Sequence, residues 1–212
     1  METQPQKKTS FFQLFMSIWF HPRATIRSIV ETNPRRNIIL LACISGIYQT
    51  LDRLIKQGAG DSMGLIEIGL IALIAGPIAG LLALFVGRFL FQLSGKIIGG
   101  KATGAEVRAA LAWSSVPDSI LLLLFIPYIA FLGREGFTSA DVGAELTSLQ
   151  AVVAVFYAFV VALPLVIWKA FISVQTMAEV HRFAWWKGLL TYVIGFAIVI
   201  IPVVLFVLAV SA

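Results

Sequence analysis

The sequence contains long uninterrupted apolar runs, and no other feature limits its fold as tightly. Gly188–Val210 carries no charged residue. A stretch of about 20 apolar residues matches the ~30 Å hydrocarbon core of a bilayer. In lipid the backbone must satisfy its own polar groups, so spanning segments are helices or closed barrels. Barrel strands alternate over roughly 10 residues, and these runs do not alternate. The pattern predicts an all-α polytopic membrane protein with five spans, at about 38–55, 63–93, 109–132, 151–174 and 188–210. The first is the weakest, because Asp52 and Arg53 interrupt its end. Composition agrees: only 13% of residues are charged, against about 25% in a soluble domain. The single Cys43 excludes an intrachain disulfide.

Residues 1–37 hold no span and form a separate N-terminal arm; residues 38–212 form the transmembrane domain. Phe11–Phe20 (FFQLFMSIWF) is too short to cross a bilayer. His21-Pro22-Arg23 follows it instead of the small-residue site that signal cleavage requires. Its aromatic weight fits a helix lying in the headgroup layer. Pro22 suits the first turn of a second short helix, with Ile26, Ile29 and Val30 on one face and Arg23 and Arg27 opposite. Two placements remain open for the arm: in the interface, or packed on the protein's own cytoplasmic face. In the first, Lys7, Lys8, Trp19, Arg23, Arg27, Arg35 and Arg36 are the membrane-contact residues, and anionic lipid headgroups are partners.

Orientation follows from the basic residues. With five spans and the N-terminus inside, 13 of the 16 lysines and arginines fall on the inner side. Cytoplasmic loops carry this excess, so the sequence predicts a plasma-membrane protein with N-terminus in and C-terminus out. The basic residues flank spans, so they read as topology signals rather than as a nucleic-acid surface.

Enzyme signatures fail one by one. Gly95–Ala102 approaches a phosphate-binding loop, but Ala102 stands where the magnesium-binding Ser or Thr belongs. His21 and His181, the only histidines, lack the cysteines or carboxylates of a metal site. Neither lies at the depth an intramembrane serine triad needs. No enzyme, metal or cofactor is expected.

The informative residues are the ionisable ones inside spans. Each unpaired charge at the bilayer centre costs about 2.5–3.5 kcal/mol, so such residues usually face the bundle and find partners. Asp118 and Lys169, with Ser114, Ser115 and Glu67, form the candidate intramembrane polar site. Asp118 and Lys169 share a leaflet, so Asp118 is expected to face inward against Lys169, Ser114, Ser115 or water. Pro77, Pro117, Pro127, Pro164 and Pro202 mark kinks, and Gly76 and Gly80 form a GxxxG that permits close helix approach. A broken helix with polar lining is a transporter binding site in some proteins and a re-satisfied structural kink in others.

Three segments carry a resemblance. They are His21-Pro22-Arg23-Ala24-Thr25-Ile26 before the first span, the Gly-rich turn Gly95–Gly104, and Ala109–Pro117 with its Ser-x-x-Pro ending. In these the chain resembles the Yip family, membrane proteins named for interaction with Ypt/Rab GTPases, and specifically its short prokaryotic branch. The resemblance implies five spans with a cytoplasmic N-terminus. It does not carry Rab binding, which belongs to a long polar N-terminal domain not seen here.

The first functional reading is a non-enzymatic protein that organises membrane or partner proteins, with a protein partner or a second copy of itself. The second is a small transporter or permease accessory subunit using the kinked, polar-lined helices. The third is a lipid-handling protein. A polar cavity reaching Asp118 favours the second, a dry bundle the first, and a lateral apolar groove the third.

Overall fold

A computed structural model describes residues 10–139 and 147–211. Lys7 and Lys8 lie outside the described residues. Two short helices, α1 (Phe11–Phe20) and α2 (Pro22–Thr32), precede five segments long and apolar enough to span a membrane. The first span is α3 (Ile38–Lys56) and the second α4 (Leu65–Ile97). The third is broken into α5 (Gly104–Ser114) and α6 (Val116–Leu132). The fourth joins α7 (Ser148–Phe156) to α8 (Leu163–Val180), and the fifth is α9 (Trp185–Ser211).

Proline places both breaks. Pro117 has no N–H to offer the preceding turn and its ring crowds that turn's carbonyl. The helix stops at Ser115, and α6 restarts with proline in its first turn. Pro164 creates the same conflict in the fourth span. There the preceding residues Tyr157–Ala162 widen into a π-helical segment, a known way to absorb a ladder defect without ending the helix.

The GxxxG seam behaves as its spacing predicts. Gly76 and Gly80 of α4 pack on α3, where a Cβ on Gly80 would strike the Ala42 carbonyl oxygen and one on Gly46 the Gly76 carbonyl oxygen. Small residues here let the two backbones approach.

The arm turns a corner at His21. Ser17 and Thr25 share a hydroxyl hydrogen bond of 2.8 Å across it. Leu14 and Ile18 of α1 and Ile26 and Ile29 of α2 are buried in the main core with Trp113 and Val107. Phe12, Met16 and Phe20 remain exposed on the other face of α1. The arm thus packs on the bundle's end and still presents an aromatic edge outward.

Candidate functional site

Asp118 stands in the first turn of α6, just past the proline break, and is 1% exposed. Its Oδ2 accepts from Lys169 Nζ at 2.7 Å and from the Ser45 hydroxyl at 2.5 Å. Gln49 Nε2 reaches the same oxygen at 3.5 Å and donates to Ser45 Oγ at 2.6 Å. Three helices therefore converge on one carboxylate oxygen. Among the described residues, Asp118 Oδ1 has no partner and is buried. An ammonium and a hydroxyl on a carboxylate shorten and strengthen the contacts relative to neutral hydrogen bonds, and they offset the cost of taking the charge out of water.

Other expected members stand elsewhere. The Ser114 and Ser115 hydroxyls donate to the Leu111 and Ala112 carbonyls at 3.0 and 2.7 Å. A serine in the last turn of a helix readily bonds back to its own chain, so neither reaches Asp118. Glu67 is exposed at the start of α4, where its Oε2 accepts from the Gly64 N–H at 2.9 Å; it is a cap, far along α4 from the Gly80 level. Pro202 is exposed within α9. Ser45 and Gln49 were not anticipated. Their signal was present, since residues four apart share a helix face and both are polar within the apolar first half of that span.

A cavity of about 450 Å³ lies beside this group. It is bounded by α3, α4, α5, α8 and α9. Ser45, Gln49, Ser114, Ser115, Lys169 and Ser173 line its polar wall, and Leu84, Phe91, Leu111 and Phe196 its apolar one. All three partners of Asp118 reach it. Lys169 lines the cavity while its ammonium holds the carboxylate, and its side chain is 27% exposed. A second, almost wholly apolar groove of about 480 Å³ runs between α1 and the α6–α8 pair, along Trp19, Phe20, Ile120, Pro164 and Trp168.

At the end of the bundle that carries the arm, Arg23 Nε and Arg27 Nε donate to the two oxygens of Glu179 at 2.8 and 2.6 Å. Arg23 also donates to the Phe183 carbonyl at 2.7 Å. These two cations clamp the arm to the end of α8. Arg35 is exposed, and Trp19 is partly buried against the core.

His181 occupies a slot in the Gly-rich turn. Its ring would collide with a Cβ on either Gly95 or Gly100, and it stacks on Phe183 at 5.5 Å. Burial pushes its pKa below the ordinary histidine value, while the Phe91 backbone and the Glu106 carboxylate pull the other way. Both ring nitrogens are buried. The imidazole therefore acts as a packed ring, and Gly95 and Gly100 are small because it is there. Among the described residues, no group of three or more His, Cys, Asp or Glu gathers where a metal could sit.

The family model described as the Yip1 domain matches residues 16–208, nearly the whole chain, and the chain belongs to that family. No curated protein and no solved structure matches it.

Proposed function

We propose that this Yip-family membrane protein is non-enzymatic and binds a small polar solute in the cavity beside Asp118 and Lys169, working as a small transporter or as a permease's accessory subunit. The observation that carries this reading is the cavity itself. It is bounded by five helices and meets all three groups that hold the carboxylate. Charged groups inside spans commonly line substrate paths, and a helix broken at mid-span supplies the polar lining such paths need. The organising role keeps one specific support, the arm clamped to Glu179, which holds an aromatic edge at the inner face.

Proteoliposomes holding the protein should admit small polar solutes faster than protein-free liposomes, in a stopped-flow swelling assay over a panel of neutral, cationic and anionic compounds. Lys169→Met should slow the preferred solute at least tenfold. Permeation indistinguishable from empty liposomes for every compound would remove transport and return the organising role to first place.

The orientation is likewise a proposal, supported by the basic residues concentrated on one side. With Cys43 replaced, a cysteine at Ser139 should react with an impermeant reagent from outside the cell. One at Thr103 should not. The reverse pattern overturns N-in, C-out, and the plasma membrane is the compartment in which the assay reads it.

A further inference from the structure

Arg88 and Arg108 share one seam, between α4 and α5. The Arg88 guanidinium lies 4.6 Å from the Phe89 ring centroid, and that of Arg108 lies 5.8 Å from the Phe85 centroid. Phe85 and Phe89 are 49% and 63% exposed, facing lipid. Arg88 also rests against Gly104, where a Cβ would run into its guanidinium. Gly104 and Arg108 are one helical turn apart, as are Phe89 and Phe85, so the two cations occupy neighbouring turns of one seam. Among the described residues, neither is paired with a carboxylate. Arg88 Nε is buried and has no acceptor among the described residues.

Depth decides what could neutralise them. Glu67 is exposed at the outer start of α4. At about 1.5 Å per residue, a 30 Å hydrocarbon core counted from there ends within a turn of Arg88. Two unneutralised guanidinia thus sit at the inner boundary of the core, on rings that face acyl chains. The positive end of α5 points the same way, and its Glu106 is already engaged with the Thr103 N–H and with Arg182.

We infer that the α4–α5 seam is a binding site for one anionic phospholipid of the inner leaflet, whose phosphodiester lies between Arg88 and Arg108 and whose acyl chain runs along Phe89 and Phe85. Guanidinium presents paired donors to phosphate and stacks on aromatic faces, which an ammonium does less well. The local charge is +2, with no carboxylate to receive a choline or ethanolamine cation, so an anionic headgroup fits better than a zwitterionic one. This site is separate from the Asp118–Lys169 cavity and stands whether or not that cavity transports anything.

The test is native mass spectrometry of the full chain in detergent, titrated with dioleoylphosphatidylglycerol or dioleoylphosphatidylcholine. The wild type should hold one phosphatidylglycerol more tightly than phosphatidylcholine. An interfacial arginine contributes about fivefold to anionic-lipid affinity, so Arg108→Gln should lose about fivefold. Arg88→Gln/Arg108→Gln should lose about twentyfold. Lys96→Gln, an exposed control at the end of the same helix, should lose nothing. Arg108 rests on an exposed ring, so its single variant remains informative even where Arg88→Gln disturbs the contact with Gly104. Equal retention of the two lipids overturns the proposal, and so does wild-type retention by Arg108→Gln. Equal loss in Lys96→Gln would assign the effect to diffuse surface charge and overturn the proposal. Displacement of phosphatidylglycerol by inorganic phosphate at matched concentration would make this a free-anion site and would also overturn it.

Discussion

Replacing Lys169 by methionine is expected to destabilise the protein by about 3–5 kcal/mol, the usual result of stranding a buried charge. Asp118 is 1% exposed, and its Oδ2 would keep only the Ser45 and Gln49 donors. Asp118→Asn should cost less, about 1–3 kcal/mol, because the amide can still accept from Ser45 and the Lys169 ammonium can turn to the cavity. The double variant Asp118→Asn/Lys169→Met should recover part of the loss. Coupling between contacting groups usually amounts to about 0.5–3 kcal/mol, and thermal unfolding of the four proteins in one detergent measures it. Strictly additive effects would mean that the 2.7 Å contact contributes no net stability. A higher midpoint for Asp118→Asn alone would show that the carboxylate is kept at a cost to stability, as functional groups often are.

The second large effect lies in the α3–α4 seam. Gly80→Ala would drive a methyl group into the Ala42 carbonyl oxygen, with the Gly46 Cα at 3.0 Å. Overpacking typically costs about 1–3 kcal/mol when side chains can yield. Here the obstacle is backbone, which has no rotamer to change, so a loss of about 3 kcal/mol or a splayed first span is expected. Gly69→Ala, also in α4, meets nothing within 4 Å. It should be neutral or slightly stabilising, since alanine is the better helix former. Equal effects at the two positions would mean that the seam is not closely packed in the membrane.

The contrast between these two glycines shows how far the sequence can be read. Spacing identified the GxxxG, and hydropathy placed all five spans. Both signals are periodic and local, and lipid leaves the backbone few alternatives. The prolines marked both irregular points but not their different outcomes. Pro117 ends a helix, whereas Pro164 is absorbed by a π-helical segment, and which occurs depends on neighbouring helices that a sequence window does not contain.

At the polar site, charge and depth matched Asp118 to Lys169 because an isolated ion in a span is costly. Ser114 and Ser115 were assigned to the carboxylate by proximity along the chain, yet their hydroxyls turn back to their own helix. Ser45 and Gln49 come from a span more than sixty residues earlier, and only packing brings them to Oδ2. His181 was legible as a histidine but not as the reason for Gly95 and Gly100. That relation joins the end of the fourth span to the turn after the second.

The central claim is that a water-accessible cavity reaches Lys169, the partner of Asp118 within the membrane. Thiol chemistry tests it directly, because methanethiosulfonates react with thiolate, and a thiol in apolar surroundings does not ionise. With Cys43 replaced, single cysteines at Ser173 in the cavity wall, Thr103 in the Gly-rich turn and Leu205 on the exposed face of α9 can be compared in liposomes. A small ammonium-bearing methanethiosulfonate should modify Ser173→Cys within about tenfold of the Thr103→Cys rate and leave Leu205→Cys unmodified. A Ser173→Cys as inert as Leu205→Cys would mean a dry bundle and would contradict the account.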